Sequence, residues 1–396
     1  MSNERLNIIF VGTCCSRQTY RKIIPEEQRI SQQSQKYCTL LLQGLEKNGV
    51  NAQALAVLPI NRNNNKKKFI HINNDEENGI RFTYVSCFNI PVLKRIINFW
   101  GTVNRLWRLI SDSKDCVVIA DPFVVSSYTA ALIVSRLRGR RIVGIVTDLP
   151  TVYSKRHNKK PTITQRISRA LDETCDGYIC ITDELNCVVN KSKKPYVVIE
   201  GFADSNIDFK EDSRDVKSQK FIVMYAGGLY KQYGLEDLVK GFIRAEIKDS
   251  ELHLYGNGPY VPEIEEISKI HSNIKYCGVK DNDYVLQEEK KAWVLINPRP
   301  ILGFTKYSFP SKNMEYMSSG TYTATTDLPG MPKEYRNYVY IIQDSTVDGI
   351  AESLKELSAL SREVLFQRGE SAKKWILKNR NNVVQMSKVL EMIKCF

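Results

Sequence analysis

The chain alternates short apolar runs with longer stretches in which apolar positions recur every three or four residues. Runs rich in Val, Ile, Tyr and Phe read as buried strands, and the three-to-four spacing reads as helices with one apolar face. In the first half the strands fall at 7–11, 52–58, 116–120, 142–146, 177–181 and 196–199. Between the first two, residues 33–48 set Leu40, Leu41 and Leu45 at helical spacing, with Gly49 placed to end the helix. The second half repeats the pattern, with strands at 221–226, 251–255, 274–277, 293–296, 322–325 and 338–341 and helices that include 235–245 and 261–271. Such alternation predicts doubly wound parallel sheets of the α/β class. Residues 61–68 read as an exposed basic loop, 204–220 as an inter-domain linker, and 361–394 as terminal helices.

At 396 residues the chain exceeds one ordinary core, so two domains are expected. A 42% apolar content places it among globular proteins. It contains no apolar run of the ~18 residues that a membrane-crossing helix needs. The apolar stretch at residues 6–12 is too short for a signal peptide, lacks a cleavage region, and reads as the first strand. Ten cysteines without a C-x-x-C pair, and four histidines apart from them, predict no metal site or disulfide framework and a cytoplasmic setting. Charge is one-sided. Residues 1–200 hold 30 Lys and Arg against 17 Asp and Glu, whereas residues 201–396 hold 27 of each. An excess confined to the first half points to an anionic partner.

Residues 308–320 carry the most chemistry. Pro310 and Ser311 make a tight turn into a short helix with Lys312 in its first turn and Glu315 a turn later. Unpaired N–H groups and the positive dipole end hold a phosphate at such a terminus. Lys312 adds a point charge, and Glu315 can accept from two neighbouring hydroxyls, as on a ribose. The same residues also fit a capped surface helix with an ordinary charged face.

Other blocks accompany this one. They are residues 223–229 with Gly227 and Gly228, residues 234–238, residues 252–259 with Gly256 and Gly258, Asn297-Pro298-Arg299, and residues 326–330. In this order they resemble the donor-binding domain of glycosyltransferases of the GT-B fold, most closely glycosyltransferase family 4. The likeness covers the C-terminal half well and the N-terminal half in outline. It implies two Rossmann-like domains facing across a cleft: an acceptor domain over 1–203, a nucleotide-sugar domain over 204–378, and a last helix in 379–396 that returns to the first domain. It also implies retaining transfer from a nucleotide diphospho-sugar, without an obligatory metal or other cofactor.

The expected donor-binding set is Gly227, Gly228, Lys231, Gly256, Gly258, Arg299, Tyr307, Ser311, Lys312, Asn313 and Glu315, with Lys312 and Glu315 also expected in catalysis. The sequence departs from the family in three places. Family members often carry an arginine where Gly228 sits and a lysine where Tyr233 sits; Lys231 is expected to supply the missing charge. The family's paired glutamates become Tyr307 and Glu315, which leaves Lys306 and the backbone of residues 303–305 to meet the sugar. On the acceptor side the resemblance points to Gly12, Thr13 and Arg17 after the first strand, and to Asp148 near the reacting carbon. Asp148 also fits a helix cap, and Asp121-Pro122 reads as a cap.

Residues 90–108 interleave Trp100 and Trp107 with Lys94, Arg95, Arg105 and Arg108. This composition suits the interface of an anionic bilayer, and a core helix with a solvated basic face is the competing reading. No nucleic-acid-reading module is recognisable. The expected protein is a cytoplasmic, peripherally membrane-bound glycosyltransferase acting on a lipid-linked glycan of surface polysaccharide synthesis. The alternatives are a catalytically silent scaffold of the same fold and a sugar-nucleotide epimerase.

Overall fold

The computed structural model describes residues 5–25, 33–111, 115–148, 173–207 and 214–396. The chain forms two compact units, Met1–Phe202 with Asn382–Phe396, and Ala203–Asn381.

The first unit is built on eight strands: β1 (Asn7–Thr13), β2 (Asn51–Val57), β4 (Asp75–Glu77), β5 (Ile80–Val85), β7 (Cys116–Ala120), β8 (Arg141–Val146), β9 (Gly177–Cys180) and β10 (Tyr196–Val198). A separate antiparallel pair is formed by β3 (Phe69–Ile70) and β6 (Cys87–Phe88). The sheet order is β10-β9-β8-β7-β1-β2-β5-β4, parallel except for the last pairing. β1 is central because Ile8, Ile9, Phe10 and Val11 are apolar on both faces and all buried, as a parallel strand covered by helices on each side requires. The described helices of this unit's first part are α1 (Arg17–Ile23), α2 (Gln33–Lys47), α3 (Pro91–Ser111), α4 (Val125–Leu137) and α5 (Asp183–Val189).

The β4–β5 hairpin lies outside the strands read from the sequence. Its signal was present: Asn78 and Gly79 both take positive φ, 53° and 80°, as a two-residue hairpin turn demands, ahead of the alternating Ile80, Phe82 and Tyr84.

The second unit carries β11 (Phe221–Gly228), β12 (Ser250–Asn257), β13 (Ile274–Gly278), β14 (Val294–Asn297), β15 (Tyr322–Thr326) and β16 (Tyr340–Ile342). All pair in parallel in the order β13-β12-β11-β14-β15-β16. The strand order reverses between β11 and β14. In open α/β sheets the crevice beyond the carboxyl ends at such a switch point is where ligands bind. Helices α6 (Leu235–Ala245), α7 (Val261–Ile270), α8 (Asn282–Lys291), α9 (Lys312–Ser318), α10 (Val347–Ala359) and α11 (Arg362–Asn379) complete the unit.

The final helix, α12 (Asn382–Ile393), belongs to the first unit and packs on α2. Gly44 allows the contact, since a Cβ there would lie 2.3 Å from the Asn382 carbonyl oxygen. The Asn382 amide donates to the Leu40 carbonyl (2.9 Å), and that of Asn48 donates to the Val383 carbonyl (2.9 Å). Two helix backbones thus meet through side-chain amides where no larger residue fits. Of the expected linker 204–220, residues 208–213 lie outside the described ones.

Candidate functional site

The carboxyl ends of β11 and β14 carry three of the expected donor residues, Gly227, Gly228 and Arg299. Gly227 and Gly228 close β11, and Asn297 closes β14, with Arg299 two residues on. The two strands are paired only at Val223–Val294 and Met224–Leu295, after which they part.

β12 approaches the glycine turn closely. Gly256 has φ +125°, and a Cβ on it would stand 1.9 Å from the Gly227 carbonyl oxygen. A Cβ on Gly258 would stand 2.3 Å from the Leu229 carbonyl oxygen. These two glycines, expected at the donor, serve the packing of one strand end on another. At Gly228 a Cβ would stand 2.8 Å from the ring of Tyr230, an exposed side chain that would have to shift to admit it.

The cations divide into two groups. The Lys231 ammonium is 3.1 Å from Glu263 and 3.8 Å from Glu236 and lies over the Tyr260 ring. Its charge, expected from the sequence to serve the diphosphate, is matched locally by two carboxylates, although the side chain remains exposed. Arg299 instead places its guanidinium 5.2 Å from the centroid of the Tyr233 ring and 5.8 Å from that of Phe304. Tyr233, which stands where the family often has lysine, therefore supplies an aromatic face for an arginine arriving from β14. Aromatic faces attract such a cation without neutralising it.

α9 starts at Lys312, after Ser311, which is exposed and makes no side-chain cap. The Lys312 ammonium lies 3.0 Å from Glu315, with side chains 23% and 13% exposed. Burial works against the charge on Lys312, yet Glu315 and Glu289 outweigh it and hold the pKa above the ordinary lysine value. The ammonium is therefore charged at neutral pH. Tyr307 ends a 3-10 turn, Thr305–Tyr307, with the Lys306 ammonium 5.0 Å from its ring centroid.

Asn313 requires a correction. It is 0% exposed, its Oδ1 accepts from Asn297 (2.9 Å), and its Nδ2 donates to the Thr325 hydroxyl (3.1 Å). Both ends of the amide are engaged within the protein, so its side chain ties α9 to β14 and β15 and is withdrawn from any ligand.

On the first unit, Gly12 and Thr13 end β1, next to β7, at that sheet's own switch point. A Cβ on Gly12 would meet the Phe10 ring at 2.6 Å and the Asp121 β-carbon at 3.1 Å, so Gly12 is fixed by packing. Arg17 is exposed, and its backbone N–H donates to Glu77 (2.8 Å). Asp148 is exposed just past β8, while Leu149 and Pro150 lie outside the described residues.

Sequence reading missed what holds this loop. Asp75, on the unanticipated hairpin, accepts from the hydroxyls of Ser16 (2.5 Å), Tyr84 (2.7 Å) and Thr19 (2.8 Å). Ser16 in turn caps α1. The Asn-Gly turn was the signal that could have located this carboxylate.

Asp121 follows β7 and accepts from the Phe123 N–H (3.0 Å), the cap-like turn expected of it. Burial pushes its carboxyl up to about 6, with the Phe123 bond only partly offsetting. An acid with a raised folded pKa binds more protons folded than unfolded, so its contribution to stability is present at low pH and lost as pH rises from about 4 to 6. Asp121→Asn is expected to raise the Tm at pH 7.5 and flatten the pH dependence across that window. An unchanged pH profile in thermal melts would show that Asp121 is not the titrating group.

Residues 220–359 match the model of the family described as glycosyl transferases group 1. The second unit carries a group 1 glycosyltransferase domain. Every donor-side residue named above lies inside this glycosyltransferase domain. No curated protein matches the sequence at a significant level. The whole chain is similar in structure to sucrose-phosphate synthase from Thermosynechococcus elongatus, with a TM-score of 0.71 at 14% identity, covering 99% of this chain and 100% of that one. It is similar to HepE of Anabaena in complex with UDP and glucose, with a TM-score of 0.65 at 11% identity over 99% and 100% of the two chains. A lipopolysaccharide outer core galactosyltransferase, WaaB, gives 0.60 at 15% identity over 98% and 99%. At such identities the likeness establishes the fold, which is GT-B with two α/β units. The glycosyltransferase domain supplies the enzyme class.

Proposed function

We propose that this enzyme transfers a sugar from a nucleotide diphospho-sugar to a lipid-linked glycan acceptor, with retention, in surface polysaccharide synthesis at an anionic membrane face. The observation that carries the donor half is that Arg299, just past β14 at the switch point, and the Lys312–Glu315 pair of α9 both lie in the domain that matches the family. UDP and glucose are bound by HepE, and WaaB is a galactosyltransferase of lipopolysaccharide; both support this class of substrate. The resemblance to family 4 supports retention.

In this reading the leaving diphosphate takes the developing negative charge as the glycosidic bond breaks. Lys312 and Arg299 stabilise it, each well-placed donor contributing about 3 kcal/mol. The N–H groups of Ser311, Asn313 and Met314, expected from the sequence to be unpaired, are taken up by the carbonyls of Phe309, Pro310 and Ser311. Glu315 accepts from the ribose hydroxyls. The acceptor hydroxyl attacks the oxocarbenium-like carbon from the face that the diphosphate leaves, and gives its proton to the departing diphosphate oxygen. The first unit would present that acceptor through Thr13, Arg17 and Asp148. No resident metal is assigned; in this reading the fixed cations supply the charge.

The membrane half rests on α3. Its buried stripe is Asn98, Thr102, Leu106 and Ile110, while Val92, Ile96, Trp100 and Trp107 face solvent, the tryptophans 64% and 40% exposed. The tryptophans thus stand outside the core. α3 also carries Lys94, Arg95, Arg105 and Arg108 and contains no Asp or Glu. Exposed tryptophans framed by cations on a helix without acidic residues suit an anionic lipid surface. No helix among the described residues is long and apolar enough to cross a membrane.

The test is a thermal-shift screen with UDP, GDP, ADP, CMP and their sugar conjugates, with EDTA present. One nucleotide at a hundredfold excess over its Kd should stabilise by about 2.7 kcal/mol, a Tm rise of roughly 5 °C or more. Silence from all of them in folded protein overturns the donor assignment. Flotation with phosphatidylglycerol vesicles, lost in the Trp100→Ala/Trp107→Ala variant, tests the membrane face independently.

A further inference from the structure

We propose that Tyr316 is a positioning residue that locks the donor helix to the glycine turn across the switch point, so that both sides of the nucleotide seat form one rigid body. This deepens the donor reading above and rests on it.

β11 and β14 lose their ladder after Met224 and Leu295, just before the residues that meet a ligand. Ala226, two residues further along β11, is buried at that opening. A buried N–H or C=O left without a partner costs about 1–3 kcal/mol. The Tyr316 hydroxyl supplies the partner for both: it accepts from the Ala226 N–H (2.9 Å) and donates to the Ala226 carbonyl (3.2 Å). One oxygen from α9 thus takes the place that a strand would occupy, and the crevice stays open without orphaned backbone.

Tyr316 is 0% exposed and acts beside Asn313, one turn earlier on the same buried face of α9. Asn313 ties the helix to the ends of β14 and β15, and Tyr316 ties it to the end of β11. The residues immediately preceding these two anchors are Lys312 and Glu315, the proposed diphosphate and ribose contacts. A seven-residue helix has little stability of its own, so its place is set by such anchors. The alternation of anchor and contact from Lys312 to Tyr316 makes the position of both contacts depend on the Tyr316 hydroxyl.

Tyr316→Phe removes that oxygen and keeps the ring, so the packing of the buried face is retained. Two measurements on the full chain decide the matter. In hydrogen exchange, the Ala226 amide should exchange at least tenfold faster in the variant, while Ile8 to Val11 of the other unit stay unchanged. In calorimetry, the Kd for whichever of UDP, GDP or ADP stabilises the wild type should rise at least tenfold. A lowered Tm with a Kd within twofold of wild type would reduce Tyr316 to an ordinary core hydroxyl and overturn the proposal. Unaltered exchange at Ala226 overturns it also, whatever the nucleotide result. If exchange accelerates but the wild type binds none of the three, the lock exists without a donor seat, and the donor reading falls together with the assignment of Tyr316 to it.

Discussion

Lys312→Ala is expected to lower kcat for nucleotide release from the sugar donor by about 100-fold, with a smaller effect on nucleotide Kd. The asymmetry follows from when the charge is needed. The diphosphate gains negative charge as the glycosidic bond breaks, so a fixed ammonium favours the transition state over the bound donor. Lys312 can play this part because Glu315 and Glu289, against the opposing effect of burial, keep it protonated at neutral pH. Removing it has a second consequence: Glu315, with a side chain only 13% exposed, loses the partner at 3.0 Å. A largely buried carboxylate that has lost this cation would itself repel an anionic ligand. The double variant Lys312→Ala/Glu315→Gln separates the two effects, since recovery of Kd without recovery of kcat assigns the rate loss to the missing ammonium. Kinetics of Lys312→Ala within threefold of wild type would remove the residue from the mechanism.

Gly256→Ala is expected to destabilise the chain by about 3 kcal/mol or more and to abolish nucleotide binding. Two separate obstacles meet there. The backbone angle, φ +125°, lies where only glycine is comfortable, and the new methyl would stand 1.9 Å from the Gly227 carbonyl oxygen. β11 and β12 are in register at this pair, so the clash is backbone against side chain and cannot be relieved by a rotamer. The strands must part, and the glycine turn moves with them. Gly278→Ala is the control: its φ is +73° but nothing lies within 4 Å of the added carbon. Strain alone should cost that variant about 1 kcal/mol. Urea unfolding that finds the two variants equally stable would refute the close-approach argument.

How much of this was legible beforehand varies along the chain for physical reasons. Apart from β4 and β5, the strands of both large sheets were readable because parallel strands buried on both faces appear as unbroken apolar runs, and β1 and β11 are of that kind. The β4–β5 hairpin was not anticipated because half of it, Asp75–Glu77, is acidic edge strand without an apolar run. Lys231 and Arg299 were both expected among the donor contacts. Their difference arises from partners distant in sequence, Glu263 for one and the Tyr233 ring for the other. Asn313 read as a ligand contact as part of the segment that carries Lys312 and Glu315. Helical geometry turns adjacent residues about 100° apart, so the neighbour of a site residue commonly faces the core.

Periodicity, composition and short-range spacing are local quantities, and they were enough for the α/β class, the two-part organisation, the order of the blocks along the donor half and the one-sided charge. Other features came into view with the packed fold: which glycines are there for clearance, which cations are already matched, that the tryptophans of α3 face solvent, and that a tyrosine completes the backbone hydrogen bonds of a strand ninety residues away. Each depends on which groups meet across the fold, and a buried donor or acceptor takes whatever partner the geometry brings to it.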